Sequence, residues 1–329
     1  MAVNDLYASQ KIGQEDEGGL RKATYLRLDD DSTDTMILPD GRTLCFAQYG
    51  EPSGEAVIYI HGGGDARKGG AFFHEPARRI GARIIACDRP GIGGSSPQSN
   101  RTVLDHARDV QCLADHLDIS EFYVVAVSGG GPYALACASS IPAERLKGVA
   151  IVCGMGPPSI NSAHIGWPTW LMLKVYEWCP IIFRWYTNTF YTTMLKHSDE
   201  ELRKMYQQQA RPGRISWLNM NEKDAQLFED DGILALSIKG NREYFRQGMH
   251  ACLEEWRVWI SDPAFRIEDI RSDLPVHLWY GKLDSGVPPR MGEQIAACLG
   301  GRAVLHVENE GHLSLVVNWR EPILKHLLW

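Results

Sequence analysis

No run of about twenty uncharged apolar residues occurs in the 329-residue chain, so a membrane-spanning helix is not expected. Cationic residues are also in short supply. With 34 Lys and Arg against 41 Asp and Glu, the formal net charge is −7. That balance argues against nucleic acid as a main partner, because phosphate binding needs clustered Lys and Arg. Paired cysteines are missing as well. The eight (45, 87, 112, 137, 153, 179, 252 and 298) are scattered with no Cys-x-x-Cys, and most lie in apolar runs. Free cysteine there behaves as a small buried hydrophobe, which favours a reducing compartment and a cytoplasmic location. Met1 to Gly19 is polar and acidic and lacks the apolar core of a secretory signal. No internal repeat or low-complexity tract is visible, and the histidines show no zinc-ligand spacing. Asp29-Asp30-Asp31 lacks the spaced oxygen ligands of a calcium loop and reads as a solvated acidic turn. Neither a metal nor a cofactor is expected.

What is present describes an ordinary globular protein, with 44% hydrophobic and 23% charged residues. The length fits one large α/β unit carrying an insertion. Residues 1–35 have little periodicity and read as a loosely attached extension. Met36 to Tyr49 is a hairpin pattern turning at Asp40-Gly41. From about 56 to 154 apolar strands alternate with helices, as expected for a mostly parallel sheet with helices on both faces. The strands are 56–60, 82–87, 122–127 and 149–153, with an amphipathic helix over 102–117. The alternation then fails. Residues 158–269 are rich in Trp, Tyr, Met and Phe at helical spacing and read as an inserted helical domain. The pattern returns with a strand at 275–280, a helix at 288–299, a strand at 303–307 and a closing helix from about Leu315.

Phe122-Tyr123-Val124-Val125-Ala126-Val127 stops at Ser128, followed by Gly129-Gly130-Gly131-Pro132 and a helix-forming run. The reading is strand, abrupt turn, helix, with one hydroxyl at the apex and small residues two before and two after. Taken alone, the segment also fits a glycine-rich turn with an incidental serine. Three further motifs accompany it. His61-Gly62-Gly63-Gly64 follows a buried strand, and Asp88-Arg89-Pro90-Gly91-Ile92-Gly93-Gly94-Ser95 follows the next. The last comprises Asp284 and His312, each just past a late strand. Asp284 also fits a residue that caps a helix or closes a turn before Pro288, and His61 reads as a brace for its glycine loop.

Together these motifs resemble the α/β-hydrolase family over 36–157 and 270–329, with Ala126 replacing the usual first glycine of the nucleophile elbow. The resemblance implies a doubly wound, mostly parallel sheet with an inserted helical cap. It also implies a triad of Ser128, Asp284 and His312 in the family's chain order. The oxyanion hole would be the backbone N–H groups of Gly129 and Gly63, with Gly62, Trp167 and Trp170 contacting substrate. No carboxylate stands near Gly154 to Pro158, where some members place the acid. The expected activity is hydrolysis of an ester, thioester or similar acyl bond of a small molecule. The same fold also serves lyases, carbon–carbon cleavage and cyclisation, and ligand receptors. Epoxide hydrolases and dehalogenases use an aspartate where Ser128 stands. The cap aromatics either line a pocket for an apolar ligand or pack cap on core. Oligomeric state is left open by the sequence.

Overall fold

The computed structural model describes residues 33–210 and 221–329, so the expected extension over 1–35 lies almost wholly outside the described residues. β1 (Asp34–Ile37) and β2 (Thr43–Gly50) form the antiparallel hairpin, with Gly41 at φ +85° in the turn. β3 (Glu55–Ile60) leads through a 3-10 segment over Arg67–Phe73 into α1 (His74–Ile80). β4 (Ala82–Cys87), α2 (Val103–His116), β5 (Phe122–Val127), α3 (Gly131–Ser140) and β6 (Leu146–Val152) follow.

Among the described residues, seven helices then intervene before the sheet resumes. They are α4 (Pro158–His164), α5 (Trp167–Trp178), α6 (Pro180–Lys196), α7 (Asp199–Gln209), α8 (Glu222–Leu227), α9 (Asp231–Tyr244) and α10 (His250–Ile260). β7 (Val276–Gly281), α11 (Pro289–Cys298), β8 (Val304–Glu308) and α12 (His312–Leu328) complete the chain.

The strands form one sheet in the order β1-β2-β4-β3-β5-β6-β7-β8, antiparallel at β1–β2 and β2–β4 and parallel thereafter. The central strands are apolar on both faces because helices cover both. Ile58, Ile60, Val124 and Ala126 pack on one side with Val110, Leu113 and Leu135 of α2 and α3. Their alternates Val57, Tyr59, Val125 and Val127 pack on the other with Ala77 and Leu324 of α1 and α12.

Two buried ion clusters fasten the inserted helices to this body. Arg67 reaches both Asp88 and Glu243 of α9 at 2.5 Å. Arg89 grips Glu255 of α10 with Nε at 2.9 Å and Nη2 at 2.5 Å from Oε2, and neither side chain is exposed. Arg101 and the Tyr133 hydroxyl also donate to Glu255 Oε1. Burial opposes ionisation of Glu255, but Arg89 and Arg101 outweigh it and hold the carboxyl down to about 2.

Glu255→Ala should therefore lower stability by about 3–5 kcal/mol, because two buried guanidinium groups lose their counter-charge. The depressed pKa means that this contribution is complete above the ordinary value of 4.5 and is lost as pH falls from there towards about 2. Denaturant titrations at neutral and acid pH check both statements. An unchanged midpoint in the variant would mean that Glu255 does not anchor the insertion.

Candidate active site

Ser128 begins the turn after β5 with φ at +54°, a conformation non-glycine residues adopt only under constraint. The crowding around it explains the small neighbours. A Cβ on Gly130 would lie 2.7 Å from the Ile60 carbonyl oxygen, so glycine is required there. The methyl of Ala126 is fully buried and accommodated. The Ser128 carbonyl accepts from the N–H groups of Met155, at 3.0 Å, and Gly131. In a trans peptide the next N–H points the opposite way, so that of Gly129 is turned away from these partners.

Asp284 follows β7 and His312 opens α12 just past β8, so both stand at the carboxyl edge of the sheet with Ser128. Asp284 Oδ1 accepts from the N–H groups of Gly286 and Val287, both at 2.9 Å. Its Oδ2 meets His312 Nδ1 at 2.5 Å. The Asp284 side chain is 2% exposed and the imidazole 37%, so the acid is sealed behind a base that reaches the surface. Burial works against a charged imidazole, but the Asp284 carboxylate outweighs it and raises the His312 pKa well above 6.5.

Cys153, just past β6 at φ +48°, completes this edge: its thiol lies 3.6 Å from the His312 carbonyl oxygen. Burial pushes that thiol up to about 11, so it stays protonated. Among the described residues, Cys153, Asp284 and His312 form the one set of three ligand-type groups close enough to share an ion, all within 4.8 Å. Here the histidine Nδ1 is engaged by Asp284 instead.

The glycine loop after β3 is set by Arg89, which donates to the carbonyls of His61 at 2.5 Å and Gly62 at 3.1 Å. With the Gly62 carbonyl held there, the Gly63 N–H faces the other way. His61 is buried and neutral: its Nε2 accepts from Arg89 N–H, leaving the Nδ1 proton for the Gly62 carbonyl at 2.9 Å. Burial, then the Arg89 charge, hold its pKa well below 6.5. A Cβ on Gly62 would lie 3.1 Å from Ser128 Cβ, so this loop runs beside the serine.

Gly63 and Gly129 meet on one ring. A Cβ at Gly63 would stand 2.8 Å from Trp259 Cη2, and one at Gly129 2.4 Å from Cζ2. Trp259, on α10, donates Nε1–H to the Gly129 carbonyl at 3.1 Å. Neither glycine has positive φ, so what demands glycine at both positions is the indole. Sequence reasoning missed Trp259, although Cys252, Trp256 and Trp259 form an apolar stripe at helical spacing. It missed Asp224 of α8 too. That carboxylate accepts from the N–H groups of His312 at 2.9 Å and Ser314 at 2.7 Å. It caps α12, which begins at His312 rather than near Leu315 because this distant residue satisfies its first turn.

Trp167 and Trp170, expected against substrate, stand on α5 with 71% and 37% of their surface exposed. A cleft of about 390 Å³ opens at the root of the insertion between Pro157–Ile160 and Asp262–Glu268, and none of Ser128, Asp284 and His312 lines it.

A family described as alpha/beta hydrolase fold matches residues 55–318. A proline iminopeptidase from Arabidopsis thaliana is 30% identical over 137 residues, 40% of this chain and 35% of that protein. A 2-hydroxy-6-oxo-6-phenylhexa-2,4-dienoate hydrolase from Comamonas testosteroni is 30% identical over 175 residues, 48% of this chain and 58% of that protein. The chain thus spans between about a third and three-fifths of the length of these curated relatives. An alpha/beta hydrolase fold protein from Nakamurella multipartita superposes with a TM-score of 0.62 at 21% identity, covering 90% of this chain and 99% of that one. At that identity the likeness carries the fold.

Gly129→Ala should cost about 1–3 kcal/mol through overpacking against Trp259. Combining it with Trp259→Ala should recover part of that cost, so the double-variant cycle is non-additive. Additive losses in urea titrations would show that the indole is not what excludes a side chain at 129.

Proposed function

The chain belongs to the α/β-hydrolase family, and on that footing we propose that it is a serine hydrolase cleaving an ester, thioester or similar acyl bond of a fairly apolar small molecule. One observation carries this reading: a serine at positive φ at the sheet edge where Asp284 and His312 share a 2.5 Å hydrogen bond. In this reading neutral His312 takes the Ser128 proton as Oγ attacks the carbonyl carbon. The Gly129 and Gly63 N–H groups receive the oxyanion, at about 3 kcal/mol each. The imidazolium then protonates the leaving alcohol or thiol, giving an acyl-serine. Water repeats the sequence: it loses a proton to His312, its oxygen bonds to the acyl carbon, and Ser128 regains its hydrogen. Asp284 fixes the imidazole tautomer and balances its charge. The inserted helices act as a cap that shapes the acyl pocket and limits water, with Trp259 packed against the oxyanion glycines.

Ser128→Ala should abolish both turnover of acyl esters and labelling by a fluorophosphonate, while leaving the unfolding midpoint almost unchanged. Retention of labelling in that variant would sink the proposal.

Because His312 must be neutral to act as base and its pKa is raised, the acidic limb of kcat/KM should lie above pH 6.5. Asp284→Asn removes the charge that raises it. The limb should then move to lower pH while the plateau falls by about 10⁴. A loss below about threefold, or a limb that stays in place, would assign the orienting acid elsewhere.

A further inference from the structure

Glu255 is one carboxylate facing two buried guanidinium groups. Arg89 has an acceptor for every nitrogen: Nε and Nη2 on Glu255, Nη1 and Nη2 on the carbonyls of His61 and Gly62. Arg101 does not. Its Nη2 donates to Glu255 Oε1, but among the described residues nothing accepts from its Nε or Nη1. The side chain is 1% exposed, so bulk solvent does not reach those N–H groups either. Folded proteins rarely leave a buried donor in that condition, least of all a charged one.

A second unpartnered group stands beside it. Arg101 lies one residue before Thr102, the cap of α2, and His106 is the fourth helical residue; side chains at these two places meet over the first turn of a helix. Neither ring nitrogen of His106 has a hydrogen-bond partner, and the residue is 2% exposed. Tyr133 links the two groups. Its ring packs against His106 at 5.2 Å, and its hydroxyl donates to the same Glu255 oxygen as Arg101. Burial, then the charges of Arg89 and Arg101, hold the imidazole neutral with its pKa down at about 3. A neutral imidazole has one N–H to donate.

Charge decides what kind of ligand suits these donors. The other carboxylates of α2 and α10 have cations of their own: Asp105 with Arg108, Asp109 with Arg42, Asp115 with Arg145 and Glu254 with Arg257. Asp88 is taken by Arg67, and Asp40, which shares Arg42, is exposed. Arg89, Arg101 and Glu255 therefore keep one positive charge out of reach of solvent. Water would accept the hydrogen bonds and leave that charge unmatched, whereas a divalent anion would overshoot it. The positive end of α2 adds to the same preference.

We propose that Arg101 and His106, at the first turn of α2, enclose a binding site for a small monovalent anion of chloride's class. The bound anion would balance Arg101 and leave the Glu255 carboxylate to Arg89, which orients the glycine loop beside Ser128.

The test is urea unfolding of the full chain at one fixed ionic strength, with sodium chloride exchanged stepwise for sodium gluconate, whose anion is too bulky for a closed site. Once chloride exceeds its dissociation constant, each tenfold rise should multiply the folded-to-unfolded ratio by about ten. Arg101→Met removes the unmatched charge and the free donors, and should abolish the response. His106→Phe keeps a ring against Tyr133 and leaves Glu255 its partners; it should weaken chloride binding by about tenfold or more. Crystals soaked in sodium bromide should show an anomalous peak against Arg101 and His106. Three results would each overturn the proposal and assign these nitrogens to water: a wild-type midpoint indifferent to chloride, an undiminished response in either variant, or no bromide peak at this place. Unfolding needs no turnover, so the outcome is separate from that of the hydrolase reading.

Discussion

Glu255 and Arg89 meet where neither has any solvent, and the site geometry hangs from that contact. Arg89 spends its remaining donors on the carbonyls of His61 and Gly62, which orients the glycine loop beside Ser128. Glu255 brings α10 with it, and α10 carries Trp259 onto Gly63 and Gly129. Burying two such charges costs several kcal/mol each before their attraction is counted, so a well-packed apolar pair could match the stability. The apolar pair could not supply directed N–H groups to two backbone carbonyls. The ion pair in this place is therefore better understood as a device for orientation.

The core was legible because its signals are local. Each strand that precedes a candidate residue is a short apolar run ending at a turn, and β5, β7 and β8 end shortly before Ser128, Asp284 and His312. Even the tolerance of Ala126 and the need for Gly130 follow from spacing around one serine. Trp259 and Asp224 were not legible, since each acts on backbone 88 to 196 positions away: Asp224 on His312, Trp259 on Gly63. An aromatic at helical spacing says that a residue is buried but not what it is buried against. Trp167 and Trp170 illustrate the same gap from the other side. Their spacing marks a helix face, yet that face is turned to solvent.

Buried charge also ties the turn after β4 to two of the inserted helices. Asp88 and Arg89 sit together after β4 and serve separate clusters, Asp88 with Arg67 and Glu243, Arg89 with Glu255. One tight turn thus addresses two inserted helices at once. The turn holds its shape only because Gly93 has no side chain, as a Cβ there would fall within 1.9 Å of Asp88 Oδ2.

The fastenings of the insertion are unevenly distributed, and that gives it a mechanical grain. Glu243 ties α9 to the core, Glu255 ties α10, and Asp224 ties α8 to the backbone of His312. Each of these bonds is directional and fails if its partners shift by an ångström or two. The α5–α6 hairpin rests on the other helices through rings, Phe183 against Trp256 at 4.8 Å and Tyr191 against Phe245 at 5.9 Å. Apolar faces can slide over one another without breaking any one bond. Compliance in the insertion is thus concentrated towards the α5–α6 turn, away from the base of α5, which the Gly166 N–H and the Arg290 guanidinium pin to the body of the protein.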